Sequence, residues 1–331
     1  MGKIFNFFSG TNNRSGKGIT KKQVEFDKKL GLGFFFRLMK MRLGKLSGTN
    51  LIFSLCNFFA FVALFGVSGI LDSSVPTASN PLYAQIYGIM QYDQSPIVAS
   101  LHGVFCVTTD LRVISTASEV LMYSALLLVF TFGLSTIGMV YNMRNICTGD
   151  YIETWNDFFY AIKRNFKQGF ILGIADFIII CVLVYDIIAY SANTANSFMM
   201  LVFFFASIAF AAIYYIMRFY MYIQLVTCDM SIWKMFKNSF LLTALGFKRN
   251  FVGLICAILF AVFLFYAFLL LPQFSFILMC MFAFSFLTYL GVYCAYPVVK
   301  KYVIDPYYED HPDERPEDPW SSDEAVFIDR G

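Results

Sequence analysis

Residues 251–296 read FVGLICAILFAVFLFYAFLLLPQFSFILMCMFAFSFLTYLGVYCAY, a run without a charged residue that is interrupted by Pro272 and Gln273. A helix that crosses the hydrocarbon core of a bilayer needs only about 20 mainly apolar residues, so one helix cannot use the whole run. A proline beside a polar residue, after a series of leucines, is typical of a tight turn. The run therefore predicts two membrane-spanning helices, Phe251–Leu271 and Phe274–Tyr296.

The same criterion selects four more apolar segments. They are Leu51–Leu71, Val120–Tyr141, Gly169–Tyr190 and Phe198–Met217. Composition agrees, because 58% of the chain is hydrophobic and 14% is charged, whereas soluble domains have about 45–50% and about 25%. A backbone exposed to lipid must satisfy its hydrogen bonds internally, which favours helices. We therefore predict an all-α polytopic membrane protein with six transmembrane helices.

The basic residues predict the orientation of these helices. Of the 25 lysines and arginines, only Arg112 falls on one side of the predicted topology. The others lie before the first span, after the second, after the fourth (a group that begins with Arg218) and after the sixth. Because cytoplasmic loops are enriched in Lys and Arg, we expect both termini to be cytoplasmic.

The segments outside the spans differ in character. Residues 1–29 are polar and basic and are predicted to be disordered, and residues 30–46 have the apolar spacing of an interfacial amphipathic helix. That helix could be a plain basic anchor or could recognise specific lipids. Residues 47–300 form the six-span domain, with an outer loop at 72–119 that suggests an external cap or a ligand lid. The acidic tail, 301–331, is predicted to be disordered.

The two larger cytoplasmic loops contain similar sequences. WNDF (155–158) and KRNF (163–166) in the first loop correspond to WKMF (233–236) and KRNF (248–251) in the second. This similarity predicts two repeated hairpins, spans two–three and four–five, each edged by a short interfacial helix. Such duplication occurs in transporters and also in proteins that transport nothing. The candidate loop contacts are Arg144, Trp155, Phe158, Phe159, Asn165, Phe166, Trp233, Phe236, Asn250 and Phe251.

A family resemblance is clearest over residues 119–190. It rests on TFGLST (131–136), Arg144-Asn145, Gly149-Asp150, Trp155 with DFF (157–159), and NFKQ (165–168). These motifs resemble the YesL-like family of bacterial membrane proteins, although Asp150 stands where that family usually has Glu. The resemblance implies a six-span protein of the cytoplasmic membrane with uncharacterised biochemistry. Its members are often encoded beside sugar-uptake transporters, polysaccharide-degrading enzymes and sensor kinases.

Two groups of polar residues lie inside the predicted spans. An ionisable group such as Asp176 is costly there and usually faces the interior of the bundle. It is either a proton- or cation-responsive site or a carboxyl satisfied by Ser, Thr or Tyr from neighbouring spans. The other group, Thr131, Gly133, Ser135 and Thr136, favours tight helix packing or a helix break, with a substrate-binding backbone as the alternative.

Two classes of function are compatible with this sequence. H-E-x-x-H and phosphate-loop motifs are absent and no histidine lies in a span, so we expect no enzyme, no metal and no cofactor. We also expect no nucleic-acid partner. The first class is a non-catalytic accessory or regulatory protein of carbohydrate uptake or sensing, with membrane lipids and a transporter or sensor as partners. The alternative is a small-solute permease or secondary transporter, although the spans have few polar side chains to line a path.

Overall fold

A computed structural model describes residues 31–78, 108–150, 152–195 and 197–314. The predicted disorder of residues 1–29 and of the tail beyond residue 314 lies outside the described residues. The helices and strands, in chain order, are α1 (Leu32–Met41), α2 (Leu43–Cys56), α3 (Phe58–Val67), β1 (Ser73–Ala78), β2 (Thr108–Val113), α4 (Thr116–Tyr123), α5 (Leu128–Thr148), α6 (Thr154–Arg164), α7 (Phe166–Asn193), α8 (Phe198–Thr227), α9 (Ile232–Leu245), α10 (Phe247–Leu270), α11 (Pro272–Leu278), α12 (Phe284–Val299) and α13 (Asp305–Asp310).

Long apolar helices dominate this architecture. Among the described residues, five helical segments are long and apolar enough to cross a membrane: α4–α5 together, α7, α8, α10, and the segment from α11 to α13. A sixth is present if α2 and α3, which are interrupted at Asn57, count as one span. The helical class is confirmed, and the composition of these helices suggests a membrane protein.

The chain divides into two compact units, residues 1–56 with 132–331 and residues 57–131. In the first unit, the buried core is concentrated in the second half of α5, the second half of α8 and most of α12. The first half of α8 and the second halves of α7 and α10 instead expose large apolar side chains, such as Phe210, Ile188 and Leu270. Exposed apolar helix faces of this kind are expected where lipid replaces water as the solvent.

Helix α1 packs against protein. The predicted amphipathic helix at 30–46 is not one helix, because Arg42 leaves helical geometry and α2 begins at the next residue. Phe35 is buried and stacks on Tyr289 of α12, with 4.8 Å between the ring centroids. The Tyr289 hydroxyl also donates to the backbone carbonyl of Phe35 at 3.1 Å. One face of α1 is therefore covered by α12.

The break between α10 and α11 lies at Leu271. This residue has φ −141° and ψ 76°, and Pro272 is the first residue of α11. The predicted turn at Pro272 and Gln273 is therefore displaced toward the N-terminus by one or two residues. Proline is favoured at the first position of a helix, because its missing N–H has no intrahelical partner there.

Asn50 of α2 binds backbone groups beside the π-helical turn Met279–Ala283, which joins α11 to α12. Its amide nitrogen donates to the carbonyls of Met279 and Cys280 at 3.0 and 2.6 Å. Its amide oxygen accepts from the backbone N–H of Ser285 at 2.7 Å. A π turn disturbs the regular helical hydrogen bonds. A buried amide that both donates and accepts therefore stabilises this segment.

The first part of the predicted disordered tail is helical. A π-helical turn at Lys300–Ile304 continues α12, and α13 follows to Asp310. Val303 and Ile304 pack against the core, which supplies the apolar contact that an acidic tail alone lacks. Pro306 lies in the first turn of α13, where proline is compatible with a helix.

The second unit contains α3, α4 and a two-stranded antiparallel sheet of β1 and β2. Both strands lie within the predicted outer loop 72–119, for which no strand is expected from the sequence. Asp72 accepts hydrogen bonds from the Ser118 hydroxyl and from the backbone N–H of Ser115, and it pairs with Arg112. These contacts, the Ser118 hydroxyl first, lower the pKa of Asp72 to about 2.

Candidate functional site

The only ion pair that joins two long helices in the described residues is formed by Asp176 of α7 and Arg218 of α8. Asp176 is 1% exposed. The Arg218 Nε lies 2.7 Å from Oδ1 of Asp176, and Nη2 lies 2.8 Å from Oδ2. This bidentate geometry is the strongest form of the arginine–carboxylate interaction.

Two tyrosines of α8 complete the surroundings of the carboxylate. The Tyr214 hydroxyl donates to Oδ1 and the Tyr222 hydroxyl donates to Oδ2, each at 2.8 Å. Residues 214, 218 and 222 are four apart, so they share one face of α8. Each carboxylate oxygen thus accepts one hydrogen bond from arginine and one from tyrosine. We refer to Asp176, Tyr214, Arg218 and Tyr222 as the charge cluster.

A close crossing of α5 and α7 lies one turn from the charge cluster. A Cβ atom added to Gly133 would lie 2.1 Å from the Cα of Gly173, and one added to Gly173 would lie 2.6 Å from the Cα of Gly133. Only two glycines allow this backbone approach. Phe132, beside the crossing on α5, lies under the Arg218 guanidinium at 5.3 Å, a cation–π distance.

The charge cluster is suited to holding α7 and α8 together. The Asp176 side chain is fully buried, and its oxygens accept four hydrogen bonds from within the protein. A transported cation would have to displace Arg218, and a transported proton would have to break the bidentate pair. Both steps would leave arginine buried without its counter-charge, which is costly. The geometry therefore favours a structural contact between two long helices over a transport site.

The hydroxyl groups of the predicted packing motif bond locally. Ser135 and Thr136 both donate to the carbonyl of Phe132 on their own helix, at 2.9 and 2.7 Å. Thr131, which belongs to the second unit, donates to the Asn57 side chain at 3.2 Å. Serine and threonine commonly form such bonds to the preceding turn of a helix. These hydroxyls point to helix packing, as does the contact of Gly133 with α7.

Helix α6 is anchored by one aromatic side chain and presents another. Phe158 is fully buried, and a Cβ atom added to Gly138 of α5 would lie 2.7 Å from its ring. Trp155 is 59% exposed and lies 4.9 Å from the Phe159 ring. Asn165, between α6 and α7, donates from its side chain to a backbone carbonyl of α6 at 3.0 Å. The packing of Phe158 against α5 therefore holds α6 in place and leaves Trp155 on its exposed face.

Helix α9 repeats this division between anchoring and exposed residues. Trp233 is 77% exposed and stacks on Phe236, with 6.3 Å between the ring centroids. Met235, between them in sequence, is fully buried. At the start of α10, the buried Asn250 accepts a hydrogen bond from the Tyr220 hydroxyl at 2.9 Å. The exposed aromatic pair is therefore held by a buried methionine beside it.

The remaining predicted loop contacts lie at helix ends. Arg144, near the end of α5, donates from Nη1 to the carbonyl of Val226 and to the hydroxyl of Thr227 at the end of α8, each at 3.4 Å. Phe166, the first residue of α7, and Phe251, the fifth residue of α10, are half-exposed. The ten predicted contacts thus include residues that join helices and residues that present aromatic surface.

The partner of Asp176 is missed by the sequence argument. Arg218 counts there as a loop residue after the fourth span, but α8 continues to Thr227, so Arg218 lies inside the helix. The available signal is the spacing of Tyr214, Arg218 and Tyr222, which places one cation between two hydroxyls on one helical face. No group of three His, Cys, Asp or Glu side chains in the described residues could hold a metal ion.

Comparison with known protein families identifies a match over part of the chain. Residues 99–187 match the model of a family described as a protein of unknown function, DUF624. YesL-like proteins are in this family. The matched region includes α5, α6 and Asp176, and it ends before α8, which carries Arg218. No curated protein and no solved structure matches the chain.

Proposed function

We propose that this protein is a non-catalytic accessory or regulatory component of a membrane assembly, and that α6 and α9 bind its partner. The observation that carries the proposal is the exposure of Trp155 and Trp233 on short helices that the buried side chains of Phe158 and Met235 anchor. Tryptophan is enriched among the residues that dominate protein–protein binding energy. Because Phe158 and Met235 fix the two helices, a partner would meet a surface that is already ordered.

The proposed topology has six spans, with both termini and both short helices on the cytoplasmic side. Its support is the distribution of Lys and Arg, together with α2 and α3 counted as one interrupted span. The order long helix, short helix, long helix occurs in α5–α6–α7 and again in α8–α9–α10, which supports the proposed pair of repeated hairpins. In this arrangement the charge cluster joins the first hairpin to the second.

We place the partner among the transporters or sensors of carbohydrate uptake in the bacterial cytoplasmic membrane. This part of the proposal rests on the resemblance to YesL-like proteins alone; these are in the DUF624 family, which residues 99–187 match. A permease is the competing function. The four internal hydrogen bonds of Asp176 argue against it, because this carboxylate, the candidate for ion coupling, is already occupied.

Co-purification with a double tryptophan variant tests this proposal. We expect Trp155→Ala with Trp233→Ala to lower recovery of the partner in mild detergent by at least about tenfold, because interface tryptophans often contribute about 2 kcal/mol or more each. Tyr185→Ala with Phe210→Ala is the matched control, since both residues are exposed aromatics on α7 and α8. The control should co-purify normally, and both variants should keep wild-type abundance in the membrane.

A different pair of results would reverse the assignment. If the wild-type protein brings down no stable partner, and the purified protein takes up a small solute when reconstituted in liposomes, the permease function is correct. If both double variants lost the partner equally, partner binding would depend on exposed hydrophobic side chains in general and not on the surface of α6 and α9.

A further inference from the structure

A groove of about 530 Å³ separates the start of α7 from the end of α8. Residues 163–168 line one side and residues 225–229 line the other. This volume falls within the range of about 300–1,000 Å³ that is typical of small-molecule sites. No residue of the charge cluster lines the groove, whose lining ends eight residues before Asp176 on α7 and begins three residues after Tyr222 on α8.

The groove carries a local excess of positive charge. Lys163, Arg164 and Lys167 line it and are exposed, whereas the acidic residue in its lining is Asp229. No carboxylate of the described residues lies within ion-pair distance of these three cations. The cations also surround the N-terminus of α7, a helix of 28 residues, whose dipole is positive at that end. Together these charges favour an anion.

The second side of the groove is formed by the end of α8, residues 225–229. It repels an anion less than an uncapped helix C-terminus would. The last carbonyls of α8 form the negative end of its dipole. Arg144 donates to the Val226 carbonyl and to the Thr227 hydroxyl there, each at 3.4 Å. A cation therefore already occupies part of this helix end, which reduces its negative potential at the groove.

An exposed apolar surface begins at the rim of the groove. Phe166 lines the groove and stacks on Phe170 of α7, with 6.0 Å between the ring centroids. Ile171 and Ile178, further along α7, are also exposed. The chain thus passes from a cluster of cations to a lipid-compatible helix face within one turn. A ligand that fits both parts has an anionic head and an apolar body.

We propose that this groove binds the headgroup phosphate of an anionic phospholipid, with Lys163, Arg164 and Lys167 around the phosphate and an acyl chain along α7. The aromatic and aliphatic rim favours a lipid over a soluble phosphate, which would gain nothing from that rim. Basic residues at the end of a membrane helix commonly attract anionic lipid. The site uses the last two residues of α6 but neither Trp155 nor Trp233, so the two proposals are tested at different residues and either can fail alone.

Lipid titration of the full-length protein by native mass spectrometry tests this site. The probes are phosphatidylglycerol, phosphatidylcholine and soluble glycerol phosphate. We expect Lys163→Gln with Arg164→Gln and Lys167→Gln to weaken phosphatidylglycerol binding by about tenfold or more, since each cation near an anionic headgroup contributes appreciably. Phosphatidylcholine binding should change little, because its headgroup has no net charge.

A second triple variant provides the matched control. Lys234→Gln with Lys237→Gln and Lys248→Gln removes the same charge from α9 and α10, outside the groove lining. We expect it to change phosphatidylglycerol binding by less than about twofold, as for a screened, nonspecific charge effect. Replacing the three groove cations by the other basic residue (Lys163→Arg, Arg164→Lys, Lys167→Arg) should retain binding, which separates loss of charge from misfolding.

Three results would overturn the proposal. Equal losses in the two glutamine variants would mean that lipid responds only to net charge. Binding of soluble glycerol phosphate as tight as that of phosphatidylglycerol would identify a site for a soluble anion. Displacement of the lipid by a peptide of residues 315–331, which are acidic, at equal concentration would identify the chain's own tail as the occupant.

Discussion

Arg218, whose side chain is 16% exposed, would be a largely buried cation without a counter-charge if Asp176 were absent. Its guanidinium has contacts with the carboxylate and with the ring faces of Phe132 and Tyr222. Taking a single charge out of water is far more costly than taking out a matched pair. The pair therefore makes each partner dependent on the other, and the two tyrosines keep the carboxylate oxygens fully bonded.

The variant Asp176→Asn should destabilise the protein by about 3 kcal/mol or more, because it leaves Arg218 buried and unpaired. Thermal unfolding of the purified protein in one detergent measures this effect. Asp186→Asn is the matched control, since Asp186 is on the same helix and is less buried. We expect the control to unfold near the wild-type temperature.

Removing both charges tests whether the loss of stability in Asp176→Asn comes from the unpaired charge of Arg218. The double variant Asp176→Asn with Arg218→Gln should be more stable than Asp176→Asn alone, because no unpaired charge remains. If the two substitutions were independent, the loss of stability in the double variant would equal the sum of the losses in Asp176→Asn and Arg218→Gln. Such additivity would show that Asp176 and Arg218 are not coupled. That result would contradict the structural role of the charge cluster.

At the level of single residues, sequence reasoning finds Asp176 but not Arg218. A carboxylate inside an apolar segment is conspicuous, whereas an arginine at the predicted boundary of a span looks like one more cytoplasmic cation. The predicted span ends before the first charged residue, Arg218, whereas α8 continues and buries all of residues 219–226. Tyrosine as a partner is among the alternatives that the sequence does allow.

Helix α7 depends on a glycine for its contact with α5. A Cβ atom on Gly173 would overlap the backbone at Gly133, which a side-chain rotation cannot relieve. The variant Gly173→Ala should therefore destabilise the protein by about 1–3 kcal/mol, the usual cost of overpacking. Chemical denaturation in mixed micelles, followed by circular dichroism, measures the change.

Gly48 offers a matched comparison within another helix. A Cβ atom there would meet the Thr154 side chain at 3.5 Å, an ordinary van der Waals distance. Since alanine is a better helix former than glycine by about 1 kcal/mol, Gly48→Ala should be neutral or stabilising. If both alanine variants had the same effect on the stability, the close crossing of α5 and α7 would not be important.

Sequence patterns predict the long helices better than their breaks. The α10–α11 boundary is predictable because Pro272 cannot continue a helix. By contrast, no proline lies near Arg42, where α1 ends. The two strands in the predicted outer loop are also missed, since each has only six residues and their pairing is non-local.

Burial in the first unit is concentrated toward one end of the bundle. The cores of α5, α8 and α12 hold most buried large side chains, including Tyr220, Tyr222 and Tyr289. The opposite halves of the long helices expose apolar side chains. In the proposed orientation, the well-packed end is the cytoplasmic end, which also carries α6, α9 and the basic groove. The helix contacts and the proposed binding surfaces therefore belong to the same part of the molecule.

The central claim is that α6 and α9 face the same compartment, opposite to the one that the predicted outer loop 72–119 faces. The most direct measurement is labelling of single cysteines with a membrane-impermeant maleimide in intact cells, in a background in which the eight native cysteines are replaced. We predict that Ile114→Cys is labelled, whereas Trp155→Cys and Trp233→Cys are labelled only after the membrane is opened. Labelling of either tryptophan position in intact cells, together with protection of position 114, would contradict the proposed orientation.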